Sequence, residues 1–499
     1  MAINISGHLE RQNKYSERMA NALENLVTAQ GGENASSVEY GVRFVTGASD
    51  PALQRVTRKD GVISAWDISY TANVGENITD NPFDYIDLFS PELFTDGMGN
   101  KFRRFKRFYK GTQHIGVYTY IWVCRKKLYS FYELPRAFYH KGAPYWNYVD
   151  VGVYEAAEET IGDAVCLVSK TGLNPSHNRA RTTLFNYAKA TGAALAVDTA
   201  KEFYGIETIS QYTEILQPLL LIMFGTRHPQ NVYQGVCNIT SHVWDSSPDS
   251  TLAAYDTATN TIYFSNDHDL RVGQTVTVNH STGEGNYHRI IESGTKTGTV
   301  ADKIFTPSES GETYYYVILD GAAIPEVTDL EPRPLFTGET DGIKATSGTL
   351  VNAGKHSFKV MGLENIYGNT YKHVLDVTLK NNIPYVCNDL TTWSDTTTPE
   401  TAPAFASCGY ITATANGYAK TLYFDASHPD VVLTTETGAS TSTYWCDYCY
   451  ANDGANAKTV LFGGDLGDGA GGGLFCWHLG NGVGSSNWNL GARLSHRAL

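Results

Sequence analysis

The chain has 499 residues, enough for about three domains at roughly 100–200 residues each. Its 52 acidic and 38 basic residues leave a net charge of −14, which opposes phosphate and makes nucleic acid an unfavourable partner. Charged residues are only 18% and hydrophobic ones 42%, which excludes a disordered chain.

In chain order, the opening MAINISGHLERQNKYSERM has no apolar core, so no secretory signal is expected. Residues 8–29 read as a helix with Leu9, Met19, Leu23 and Leu26 on one face, stopped at Gly31-Gly32. That stripe needs a partner, and an oligomer supplies one. We therefore assign 1–31 to an N-terminal oligomerisation or attachment helix and 32–150 to a β-rich assembly domain. Its strands are expected at Val38–Val45, Val62–Tyr70, Gly116–Cys124 and Val149–Tyr154. KFRRFKRFYK, residues 101–110, interleaves six basic residues with four aromatics; we expect a strand with a solvated basic face rather than a nucleic-acid site.

Arg181–Thr191 reads as a helix ended by Gly192, and Glu207–Phe224 as a buried helix kinked by Pro218. The longest apolar run, Ile215–Gly225, is too short to cross a bilayer, so no membrane insertion is expected. Residues 233–344 alternate in short segments such as Thr261–Phe264, Gln274–Val278 and Thr313–Leu319. They predict a small all-β barrel or sandwich leaving through a linker at LEPRPLFTG, 330–338. From Asn381 to Ala492 the chain carries only Lys420 and Lys458 against ten acids.

Several chemical motifs fail on context. GDGAGGG, residues 467–473, fits a dinucleotide loop, but no acid follows Asp468 and no helix fits after it; a Gly-rich surface loop is expected. Cys446-x-x-Cys449 lacks a second cysteine pair, and STYWCDYCY alternates as a strand does. NDHDL, 266–270, lacks the glycine and distal glutamate of a calcium loop. The eight scattered cysteines read as buried, reduced thiols. No metal or cofactor is expected.

The order of residues near the end carries a resemblance. Gly463-Gly464, Gly473-Leu-Phe475 and SNWNLGAR, 486–493, resemble the closing segment of the C-type-lectin-like fold in variable proteins of diversity-generating retroelements, such as the major tropism determinant of phages. HSFKVMGLENIYGN, 356–369, is similar to a GIENxWGN segment of that family, itself related to a segment of formylglycine-generating enzymes. FYELPRAF (131–138), VGVYE (151–155), SKTGLNP (169–175) and TRHPQNVYQGV (226–236) resemble gut-phage tail proteins of the group.

This resemblance implies an α+β, mostly β chain. In it 151–232 and 345–499 make the two parts of a C-type-lectin-like domain, with 233–344 inserted. It further implies a phage or prophage tail receptor-binding protein, a homotrimer joined to other tail proteins. Such a protein is made in the bacterial cytoplasm, carried on the virion, and presents a variable face to a host-surface protein or glycan. In such proteins template adenines are mutated, and Asp, Gly and His are reachable from an AAC codon and Cys from TAC. Asp465, Asp468, Gly471, Cys476, His478 and Gly480 are then the varied positions, joined by Leu466 and Gly467; Asn481 completes the face, and Trp445, Tyr448 and Trp477 flank it as aromatic anchors. The enzyme branch would place two copper-binding cysteines shortly after the Gly-Gly pair, and none lies between Phe462 and Leu474, so no catalytic residue is assigned. A cellular, surface-displayed relative is the other alternative, disfavoured by the missing secretory signal. SNWNLGAR is expected as a buried strand, with Trp488 and Arg493 holding the fold.

Overall fold

The computed structural model describes residues 38–72, 74–75, 81–139, 145–239, 252–267, 270, 272–279, 287–327, 330–341, 344–345, 354–423, 429–451 and 454–499. The expected helix at 8–29 lies outside these residues. Strands dominate, and the described residues hold two α-helices, α1 (Arg181–Ala194) and α2 (Gln217–Phe224), so the chain is α+β and mostly β.

A five-stranded antiparallel sheet opens the described chain, in the order Val62–Ala65, Gln54–Lys59, Glu39–Val45, Tyr118–Cys124, Tyr109–Ile115. Tyr118–Cys124 (YTYIWVC) is buried along nearly its whole length because both sheet faces are covered. Ile121 and Val123 join the main core, while Tyr120 and Trp122 pack with Val56 and Tyr132 on the other side. Gly41 is required here: a Cβ would stand 2.5 Å from the Trp122 ring. The expected strand Val62–Tyr70 ends at Ala65, and Trp66 leaves the sheet to pack tilted on Tyr40 and edge-on against Phe83.

A second five-stranded sheet runs Glu202–Ile206, Leu494–Ala498, Tyr148–Gly152, Lys101–Lys106, Glu92–Thr95. The last strand of the chain is thus interior to a sheet whose other members come from 92–206. A boundary at 150 falls inside the strand Tyr148–Gly152. The strand expected in KFRRFKRFYK forms over Lys101–Lys106; Lys106 and Arg107 are exposed and Lys101, Arg103, Arg104 and Lys110 half-exposed. Phe102, Phe105 and Phe108 are buried, and several of the cations have partners within the chain. Arg104 donates to both Asp150 oxygens at 2.9 and 2.7 Å and lies 3.7 Å over Phe94. Arg103 donates to the Gly362 and Pro91 carbonyls, and Lys106 pairs with Glu92.

Helix α1 runs past Gly192 to Ala194; Gly192 lies inside it, where a Cβ would press on Tyr204 at 3.3 Å. The buried helical segment begins as a π-helix, Gln211–Leu216, and becomes α2. Pro218, expected to kink it, sits in the first turn of α2, where its missing N–H is absorbed by the change from π to α turns. Every residue from Gln211 to Phe224 is buried, and the polar ones are bonded: Gln211 to Ser495 Oγ, Gln217 to the Leu474 carbonyl, Glu214 to the Arg136 amide. Tyr212 stacks on Phe462 at 3.9 Å, and Val42 and Ile121 belong to the same core, so the helix is wedged between the first sheet and the C-terminal one.

Residues 252–333 supply a seven-stranded sheet with its own apolar centre at Ile262, Phe264, Val276, Ile290, Val317 and Leu319. The stretch expected as a linker begins as a strand, Leu330–Arg333, paired with Thr275–Val278. It continues into buried Leu335, whose amide donates to Asn369 Oδ1 at 2.7 Å.

The C-terminal nine-stranded sheet centres on Tyr371–Lys380 and Lys458–Phe462. SNWNLGAR is not one strand: Leu490–Gly491 pairs in parallel with Tyr371–Lys372, while Trp488 is half-exposed in the preceding turn, 5.0 Å from the Arg333 guanidinium. Arg493 is 1% exposed. Its Nη1 donates to the Gly152 and Val153 carbonyls at 2.9 and 3.1 Å, and its Nη2 to those of Glu364 and Asn365 at 2.5 and 2.7 Å. Arg493→Ala removes this donor from all four carbonyls, of which Val153 keeps the Glu364 amide, so it is expected to destabilise by about 3–5 kcal/mol. Arg493→Lys recovers only part, because an ammonium lacks the planar fork, and Trp488→Ala costs less than either. Thermal unfolding of the three variants checks the ranking.

Candidate functional site

Lys458–Phe462 ends at Gly463-Gly464, whose φ values of +95° and +82° turn the chain away from the sheet; the loop then returns to pair Trp477–His478 beside Phe462 and Leu461. The loop expected at the surface is so only in part: Gly467, Asp468 and Gly469 are half-exposed and Ala470 exposed, while Gly471 to Trp477 are buried. Its last glycines answer to close neighbours, while a Cβ on Gly469 would meet nothing. A Cβ on Gly472 would meet Cys237 Sγ at 2.6 Å, and one on Gly473 would overlap the Asp447 carboxylate. The Gly469 amide donates to the Cys237 carbonyl at 2.6 Å, Gln230 Nε2 to the Gly469 carbonyl at 3.1 Å, and the Phe475 amide to Asp447 Oδ2 at 2.7 Å. Burial holds the Asp447 carboxyl well above the usual carboxylate range.

The expected face divides in two. Leu466, Cys476, Trp477 and Trp445 are core side chains, and Gly471 is buried with them. Trp477 packs on Phe462 and Trp445 on Phe475, at 5.2 and 4.8 Å between ring centres, so neither flanks an exposed face. Tyr448, Gly467, Asp468, His478, Gly480 and Asn481 are half-exposed, and Asp465 is 9% exposed.

The half-exposed side chains extend a row of rings that sequence reasoning missed. Tyr418 meets Tyr448 edge-on at 5.1 Å, Tyr448 lies 4.7 Å from Tyr450, and Tyr450 stacks on His478 at 4.9 Å. The strand Tyr448–Tyr450 explains part of it: Cys449 points inward, so the residues on either side share the other face. That alternation was visible in YCY and would have placed Tyr450 beside Tyr448. Tyr418 comes from a strand whose pairing no local pattern announces.

Two carboxylates brace the row. Tyr450 Oη donates to Asp468 Oδ1 at 2.6 Å, and the Asp465 amide donates to Asp468 Oδ2 at 2.7 Å. Asp465 accepts from the Gly467 amide and from Asn489 Nδ2. Burial first, and the Asp468 charge second, push its carboxyl up to about 6. Burial lowers the His478 imidazole, so it is neutral at pH 7, and burial raises the Cys237 and Cys476 thiols well above their ordinary value. A row of phenols, a neutral imidazole and a braced carboxylate suits stacking and hydrogen bonding; it offers no activated nucleophile.

All eight cysteines are free and buried. Among the described residues no group of three or more His, Cys, Asp or Glu is placed to hold a metal ion, and no helix is long and apolar enough to cross a membrane. No protein-family model matches the chain, and no curated protein matches it either.

Because the fold penalises ionised Asp465, the gain from its neutral form is fully present below its ordinary value of 3.8 and is lost as pH rises through about 6. Asp465→Asn removes this dependence. The melting temperature of the variant minus that of the wild type is therefore expected to grow between pH 5 and pH 7.5; a difference that stays constant would refute the assignment.

Proposed function

We propose that the chain is a receptor-binding protein of a phage or prophage tail, presenting the row Tyr418, Tyr448, Tyr450 and His478 to a molecule on the host-cell surface. The observation that carries this is the interleaving within 465–481. Leu466, Leu474, Phe475, Trp477 and Leu479 are core side chains, while Asp468, His478, Gly480 and Asn481 alternate with them at the surface. Such a segment tolerates exchange of its outer residues without loss of its inner ones. The two segments that carry the resemblance to retroelement variable proteins are also joined directly, since Arg493 donates to the carbonyls of Glu364 and Asn365. That contact supports a C-type-lectin-like domain assembled from 151–232 and 345–499, with 233–344 inserted.

In this reading the protein is a binding module without catalysis or cofactor. It rides on the virion, attaches to other tail proteins, and assembles as a homotrimer through 1–31. Light scattering at the 54.8 kDa of a single chain would exclude the trimer.

The nominated core residues cannot contact a receptor in this state, so the test uses the surface ones. Tyr448→Ala, His478→Ala and Asn481→Ala combined are expected to leave the melting temperature within a few degrees, since half-exposed positions perturb stability little. Binding of the purified protein to intact host bacteria is expected to fall at least about tenfold, a loss of about 1.4 kcal/mol. Undiminished binding by the folded triple variant would assign recognition elsewhere.

A further inference from the structure

A cavity of about 830 Å³ opens between the first two sheets and the strand Ile383–Cys387. None of its lining residues belongs to the row Tyr418–His478. Its volume lies within the roughly 300–1,000 Å³ typical of small-molecule sites.

We propose that this cavity is a second binding site, for a neutral saccharide. Three observations carry it. First, aromatic side chains stand at its mouth: Tyr139 and Tyr145 are 47% and 43% exposed and meet edge-to-face at 5.0 Å. Exposed rings held against one another present rigid apolar faces suited to the C–H face of a sugar ring.

Second, accessible donors and acceptors line the cavity beside the rings. Arg107, Lys127, Asn388 and Thr391 line it and are exposed. Beneath them Asp430 and Arg497 are buried and held from within, Asp430 Oδ1 by Arg136 Nε at 3.4 Å and Arg497 Nη2 by Thr208 Oγ1 at 2.9 Å. A hydroxyl both donates and accepts, so a polyhydroxylated ligand suits a lining that carries both.

Third, the lining is balanced in charge. Four basic side chains and four carboxylates contribute to it, although the chain as a whole carries −14. A balanced lining has no net attraction for an anion or a cation. Burial and the neighbouring Glu214 also push the Asp430 carboxyl up to about 7, so it carries less than a full charge near neutrality.

This site is independent of the receptor face, and the two are separable by mutation. The full-length protein is titrated with lactose, cellotriose and maltotriose, with 3′-sialyllactose as the anionic control, and binding is read by saturation-transfer NMR. At least one neutral saccharide is expected to bind saturably and in preference to the sialylated one. Tyr145→Ala, at an exposed position where folding is little affected, is expected to weaken it at least about tenfold. Asn388→Ala, which removes an exposed amide from the lining, is expected to weaken it as well. His478→Ala is expected to leave saccharide binding unchanged. Absence of binding by all three neutral saccharides, equal binding of sialyllactose, or wild-type binding by Tyr145→Ala would overturn the proposal. Loss in His478→Ala alone would move the sugar to the other face.

Discussion

The Arg493 guanidinium binds main-chain carbonyls on two segments that lie far apart in the chain, at Gly152–Val153 and Glu364–Asn365, and its Nε faces Glu207 at 3.8 Å. A buried cation is tolerated only when its donors are matched, and here the matching partners are backbone. Placing Arg493 therefore fixes the path of three other stretches at once. The final strand, Leu494–Ala498, follows immediately and enters the second sheet between Glu202–Ile206 and Tyr148–Gly152.

Neighbouring buried polar groups extend the same arrangement. Lys372 pairs with Glu155 at 2.9 Å and donates to the Gly368 and Thr370 carbonyls, while Asn369 accepts from the Leu335 amide at the exit of the 252–333 sheet. Arg181, at the start of α1, does for the central strand what Arg493 does for the closing one. The pairing of Tyr371–Lys380 with Lys458–Phe462 shifts register between His373 and Thr378. The Val374, Leu375 and Val377 carbonyls near that irregularity accept from Arg181 Nη1. Two arginines thus bind main-chain carbonyls of distant segments.

A frame of this kind separates stiffness from variability. The loop 463–476 is held by the Asp447 carboxyl, the Cys237 carbonyl and Gln230, all from outside it, and the row Tyr418–His478 stands on strands anchored in the main core. A binding surface on such a base loses little side-chain entropy when it meets a partner, because its rings are already braced against one another. Asp430 and Arg497 have the same character, buried and held by Arg136 and Thr208.

Local pattern was sufficient for some of this. Alternation and β-branched content located the strands around Tyr118–Cys124, Thr261–Phe264 and Glu312–Leu319, and an all-apolar face announced a helix buried at Gln211–Phe224. The motif ending at Arg493 marked a residue the fold depends on. Elsewhere, proximity between distant segments decided the outcome. Trp445 and Trp477 resemble surface anchors in a polar, Gly-rich stretch, yet Phe475 and Phe462 cover them. Gly472 and Gly473 resemble part of a solvated loop until Cys237 and Asp447 arrive from elsewhere in the chain and take the space their missing side chains leave. The basic run at 101–110 keeps Lys106 and Arg107 exposed, while Arg104 and Arg103 are taken up by Asp150 and the Gly362 carbonyl. Period and composition report what a residue prefers; its burial depends on which remote segment packs against it, and that is a property of the assembled chain.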